Sequence, residues 1–99
     1  MEQLFRDIEK WHEDRLLNVA EAQLVKVMEE VGELAKELAH GAKDEVAIMD
    51  AIGDSMIALI GVANVLGLES WKCLEYAWVL VKNRTGKTTN GHFIKDGDE

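Results

Sequence analysis

Residues 49–64 read MDAIGDSMIALIGVAN. Apart from Asp50 and Asp54 the stretch is apolar or small. At 3.6 residues per turn, Asp50, Asp54, Ile57, Gly61 and Asn64 share one narrow helix face, and most of the remaining circumference is apolar. A helix of that kind, running from near Asp44 to about Leu66, should be buried on nearly all sides. One chain of 99 residues has few helices to do that burying. The expectation is therefore a homo-oligomer, a dimer or a tetramer, with this helix at its centre. The two aspartates then need a reason, because a carboxylate withdrawn from water neutralises or finds a partner.

Outward from this stretch, three more helical segments are expected. The first covers about residues 2–17, with Leu4, Phe5, Ile8, Trp11, Leu16 and Leu17 as its apolar positions. Asn18 with Glu21 three residues on offers a capping box for the second. That helix runs to about His40, with Leu24, Val27, Met28, Val31, Leu34, Ala35 and Leu38 in one stripe. Gly41 follows its end, where glycine is favoured. The fourth opens at Glu69 or Ser70 and extends to about Arg84. From Thr85 the sequence TGKTTNGHFIKDGDE is rich in glycine and carries an Asn-Gly turn signal, and an irregular tail over 85–99, a possible lid, is expected. The fold class is all-α: a four-helix bundle-like protomer, one domain over residues 1–99, without internal repeats.

Composition agrees and narrows the function classes. There is no proline, and hydrophobic residues make up 47% of the chain, enough for a core. Nineteen acids against eleven Lys and Arg give a net charge of −8, which disfavours coating a nucleic-acid backbone. Excess acid serves solubility, and it can also hold cations. The lone Cys73 excludes an internal disulfide and fits a reducing cytoplasm. The charged N-terminus MEQLFRDIEK is unlike a signal peptide, and the apolar run after Asp54 is short for a bilayer span, which takes about 20 apolar residues. No membrane partner is expected.

The second helix contains EEVGE, which is Glu29, Glu30, Gly32 and Glu33 around Val31. Glu30 and Glu33 project to one side, as a solvated polar face commonly does. Asp50 and Asp54 are likewise one turn apart, on a far less polar helix. Gly32 and Gly53 each cost a helix about 1 kcal/mol relative to alanine, which close helix–helix approach would explain. If the second and third helices pack antiparallel, the two acid pairs come level and four carboxylates converge. They cannot all stay ionised without a counter-charge. Hard oxygen ligands suit Mg²⁺, with Mn²⁺ a natural substitute, sharing its shell with substrate phosphates.

EEVGEL followed by DAIGD resembles the MazG-like, all-α NTP pyrophosphatase superfamily, whose motif is a Glu pair three apart on one helix and an acid and Asp on the next. WHEDR at 11–15 and KNRTGKTTNGHFIK at 82–95 are similar to short single-domain members found in bacteriophages. The resemblance implies helical oligomers that hydrolyse nucleoside triphosphates to monophosphate and pyrophosphate with Mg²⁺. By it, Glu30 and Glu33 match the first acid pair and Asp54 the last acid. The family commonly has Glu three residues before that Asp; this chain has Ala51 there, with Asp50 one residue earlier. The fourth helix also departs, with apolar YAWVLV where a polar substrate contact is expected.

The roles that follow are metal ligation by Glu30, Glu33, Asp50 and Asp54, and acceptance of a proton from the attacking water by Glu29 or Glu33. Lys82, Arg84 and Lys87 would neutralise phosphate oxygens, or simply complement a helix C-terminus. Trp11 and His12 are candidates to stack on a base, although Trp11 also continues the apolar stripe of a core anchor. Two rivals remain. A di-iron bundle would use Glu9–His12 and Glu37–His40 as paired Glu-x-x-His motifs. A non-catalytic helical interaction module would leave the acids solvated. TGKTT at 85–89 lacks the earlier glycine of a phosphate-binding loop, since position 81 is valine.

Overall fold

The computed structural model describes residues 1–98. Four helices are followed by a hairpin: α1 Glu2–Asp14, α2 Ala20–Ala39, α3 Glu45–Val65, α4 Ser70–Val81, β1 Gly86–Thr89 and β2 His92–Lys95. The tail is not irregular. Asn90 (φ 52°) and Gly91 (φ 78°) form a two-residue turn of the type that suits the twist of paired strands. The strands are antiparallel, with Thr89 opposite His92 and Gly86 opposite Lys95. At the base, the Asp96 amide donates to the Thr85 carbonyl at 2.9 Å. The Thr85 hydroxyl donates to Asp96 Oδ2 at 2.6 Å.

Helix ends follow local chemistry. Asp44 caps α3, accepting the Ala47 amide at 3.0 Å. Asn18 does not cap α2; Val19 stands there without a side-chain bond. The C-termini of α1, α2 and α3 share one device, in which two successive amides turn back onto the last carbonyls. Leu17 and Leu16 donate to His12 and Glu13 at 3.1 and 3.0 Å, Ala42 and Gly41 to Glu37 and Leu38, and Leu68 and Gly67 to Ala63 and Asn64. Glycine supplies the left-handed residue at 41 and 67, but at the end of α1 it is Leu16 (φ 56°). That is why α1 stops at Asp14 rather than reaching 17.

The α2–α3 hairpin is the main packing unit, with α1 laid across α3. The core is thin. Val27, Ala51, Ala58 and Ile60 are its buried apolar residues, joined by His12, Gln23 and Ser55. The Ser55 hydroxyl is satisfied by the Ala51 carbonyl at 2.7 Å. Gly61 is where side chains from α1 and α2 come up against the backbone of α3: a Cβ there would overlap the His12 ring and stand 2.9 Å from Gln23 Oε1. Gly32 and Gly53, expected to mark the close approach, have, among the described residues, nothing beyond their own helix backbone within 4 Å of a would-be Cβ.

The apolar stripe of α2 is divided. Val27 is buried, while Leu24, Met28, Val31 and Leu38 are about half exposed or more. On α3, Val46, Met49, Ile52, Met56 and Leu59 are exposed as well. The expected all-round burial of α3 is thus not met within one protomer. Its 21 residues match the expected span, but the expectation of an apolar run short for a bilayer is not met: by length and composition alone α3 is long and apolar enough to cross a membrane, with mean hydropathy 1.8 over 18 residues.

Candidate functional site

A cleft of about 760 Å³ opens where α1 crosses the α2–α3 pair. Its apolar wall comes from Ile8, Leu17, Ala22, Ile57 and Ala58, and its polar groups from Asp7, Gln23, Lys26, Glu30 and Asp54. That size lies in the range of small-molecule sites, roughly 300–1,000 Å³. Trp11 and His12 complete it.

The register of the two long helices aligns the acids. Gln23 stands against Gly61. Seven residues along α2 is Glu30, and seven residues back along antiparallel α3 is Asp54, so the two are level. One further turn brings Glu33 level with Ala51, beside Asp50. Glu30 and Asp54 reach the same cleft. Glu29, Glu33 and Asp50 are exposed and lie outside its lining. Among the described residues, no group of three or more His, Cys, Asp or Glu is close enough to hold a metal ion by itself.

The counter-charge between these acids is Lys26, which sequence reasoning missed. Its ammonium lies 3.0 Å from Glu30 Oε1 and 3.8 Å from Glu29 Oε2. Its hydrogen bond donated to Glu30, then the charges of Glu30, Glu29 and Asp54, hold it above the ordinary lysine value. Lys26 one turn before Glu30 was the available signal. The Glu30 side chain is only 14% exposed. Two carboxylates beside open space still fit Mg²⁺, which usually takes one or two carboxylates and completes its shell with substrate phosphates and water.

Helix α1 places the two base-stacking candidates, Trp11 and His12, in different surroundings. His12 is the most enclosed side chain, 1% exposed, with Nδ1 2.9 Å from the Ile8 carbonyl. Trp11 is 43% exposed and is no core anchor. It stands edge-on to the His12 ring at 5.1 Å, with the Arg15 guanidinium 4.3 Å over its face. Trp11 therefore offers an aromatic surface at the cleft rim, while His12 forms the wall beneath.

Lys82, Arg84 and Lys87 are exposed and outside the cleft. Among the described residues the strands pair with one another and pack on no helix of the protomer. The di-iron arrangement also fails within one protomer. His12 sits at Gln23, while His40 caps the far end of α2, about 25 Å away at 1.5 Å per residue.

No protein-family profile matches the chain. An uncharacterized 18.2 kDa protein from the rep–hol intergenic region of Haemophilus phage HP1 (strain HP1c1) is 36% identical over 73 residues, covering 71% of this chain and 44% of its own length. The chain thus spans less than half the length of that relative. No solved structure matches.

Proposed function

We propose that the protein is a Mg²⁺-dependent nucleoside triphosphate pyrophosphohydrolase, acting as a homo-oligomer and releasing monophosphate and pyrophosphate. The observation that carries this reading is the level pair Glu30 and Asp54 on a cleft with an apolar wall and a half-exposed tryptophan at its rim. Apolar surface and Trp11 suit a base, and the acid edge suits a cation-bound triphosphate. Glu30 and Asp54 would hold the ion, with Glu33 and Asp50 one turn along their helices. Held by these carboxylates, Mg²⁺, or Mn²⁺ in its place, would supply positive charge against the phosphate oxygens and lower the pKa of a water. Lys26, released from Glu30, turns its ammonium to a phosphate oxygen. Glu29 or Glu33 accepts the proton of the water that attacks the α-phosphorus, and pyrophosphate leaves.

Incubation with a panel of ribo- and deoxynucleoside triphosphates and Mg²⁺, with separation of products, tests the reading. Monophosphate and pyrophosphate in equal amounts support it, and their absence with every nucleotide ends it. Full activity in Glu33→Gln would remove Glu33 from the assignment.

One observation favours a second reading, a non-catalytic interaction module: Lys26 already neutralises the acid edge. Melting temperatures unmoved by either Mg²⁺ or nucleotide would select that reading.

A further inference from the structure

Among the described residues three polar side chains are buried, His12, Gln23 and Ser55. Two of them are satisfied. The Ser55 hydroxyl donates to the Ala51 carbonyl, and His12 Nδ1 donates to the Ile8 carbonyl. Gln23 is only 9% exposed, yet its side-chain amide makes no hydrogen bond to another described residue. A buried amide without a partner is costly. Partnerless polar atoms fully sealed from solvent occur at Glu9, Glu69, Ser70 and Trp71, and the Gln23 amide is not one of them. It stays open, and the hollow it lines is the cleft.

His12 decides which way that amide faces. A carbonyl only accepts, so the bond to Ile8 puts the ring hydrogen on Nδ1, and the neutral ring keeps a bare lone pair at Nε2. Nε2 and Gln23 Oε1 both crowd the place where a side chain at Gly61 would begin. Two acceptors turned on one spot repel. The oxygen and nitrogen of an amide exchange places by a half-turn about its last bond, and the hydrogen-bonding neighbours choose between the two orientations. After that half-turn the amide points an N–H at Nε2 and turns Oε1 to the side its NH₂ group held.

The amide also lies at a useful distance from the acids. Gln23 and Gly61 stand two turns from Glu30 and Asp54, about 10 Å at 1.5 Å per residue. That is the scale of a nucleotide, from its phosphates to the far edge of its base. Ile57 and Ala58 line the cleft between the two ends. The Trp11 ring, centred 5.1 Å from that of His12, gives the Gln23 end an aromatic face.

We propose that Gln23, oriented by His12, reads the base: its Oε1 accepts a hydrogen from an exocyclic amino group, so the cleft prefers cytosine and adenine to the keto bases uracil and hypoxanthine. An amine in that place fills the open acceptor. A keto oxygen there sets lone pair against lone pair and leaves Oε1 unpaired, a mismatch that binding sites reject strongly. That the base belongs to a triphosphate rests on the proposed function; the contact of amide with amine does not.

Nucleosides alone, without metal or phosphate, test it. The ¹⁵N-labelled chain is titrated with two matched pairs, deoxycytidine against deoxyuridine and deoxyadenosine against deoxyinosine, each pair exchanging an amino group for a keto group. Binding is followed at the Gln23 side-chain amide and the Trp11 indole N–H. The amino member should bind about tenfold more tightly and move both signals. Preference in one pair alone supports the contact and names the ring that fits. Gln23→Met keeps the length of the side chain and removes the amide, so it should bring each pair to near parity. Should that variant not fold, as judged by circular dichroism, the wild-type pairs and the Gln23 signals decide alone. Equal or reversed preference in the wild type would overturn the proposal. So would an amide that responds to no nucleoside and holds water only, or a preference unchanged in folded Gln23→Met. An amino preference without hydrolysis of any triphosphate keeps this contact and removes the hydrolase reading; hydrolysis indifferent to the amino group does the reverse.

Discussion

Alanine at Gly61, compared with alanine at Gly32 and Gly53, gives one chemical change opposite signs at three sites on the same hairpin. Removing a mid-helix glycine contributes about 1 kcal/mol of helix propensity in each case. At Gly32 and Gly53, among the described residues, nothing beyond the adjoining helix backbone lies within 4 Å of the new methyl group, so that gain should appear nearly whole. At Gly61 the methyl would overlap the His12 ring and approach Gln23 Oε1 at 2.9 Å. His12 cannot swing away, because it is fully buried with Nδ1 against the Ile8 carbonyl. Overpacking of that kind costs about 1–3 kcal/mol, so the net effect ranges from neutral to roughly 2 kcal/mol of destabilisation. The two classes should differ by about 1–3 kcal/mol, and each kcal/mol moves the melting temperature of a chain this size by about 4–8 °C. Urea unfolding followed by circular dichroism, at one fixed protomer concentration, measures it. Gly61→Ala as stabilising as Gly32→Ala would show that α1 does not close on α3 through His12. The structural basis of the cleft would then be lost.

Asp44→Ala should lower stability by about 1 kcal/mol in the same assay, by removing the cap that accepts the Ala47 amide. Lys26→Gln leaves Glu30 and Asp54 without their resident cation, so Mg²⁺ should raise its melting temperature more than that of the wild type; a smaller rise would contradict the shared site. The pH sense of that ion pair is also fixed. Neighbouring carboxylates raise the Lys26 ammonium, so its pairing is complete below the ordinary lysine value near 10.4 and is lost only as pH climbs through the raised one. Lys26→Gln should therefore change stability equally at about pH 7 and 9 and lose its effect in stronger base.

Helix number and order were legible because α2 and α3 are long and free of proline, and Asp44 and Gly41 mark their facing ends. The end of α1 was not, since a leucine rather than a glycine takes the left-handed position. The hairpin carried a sufficient signal in Asn90-Gly91, but its strands are only four residues each and lie among lysines and glycines that read as tail. Gly32 and Gly53 misled for a physical reason: sequence marks where a side chain is missing, not which neighbour makes use of the space. The alignment of Glu30 with Asp54 followed from antiparallel packing across a short turn. Lys26 did not, because an i,i+4 pair with glutamate is ordinary on any exposed helix. Trp11 was not legible as a rim residue nor His12 as a buried one, because what decides it is the contact of His12 with Gly61 of α3, which no single-helix pattern specifies.

The decisive measurement is calorimetric titration with a dNTP analogue whose α,β-bridging oxygen is replaced by an imido group, with and without Mg²⁺. A shared cation–triphosphate site at Glu30 and Asp54 predicts binding only when Mg²⁺ is present, weakened about tenfold or more, at least 1.4 kcal/mol, by either Glu30→Gln or Asp54→Asn. Binding of equal strength without Mg²⁺, or untouched by both substitutions, would contradict it.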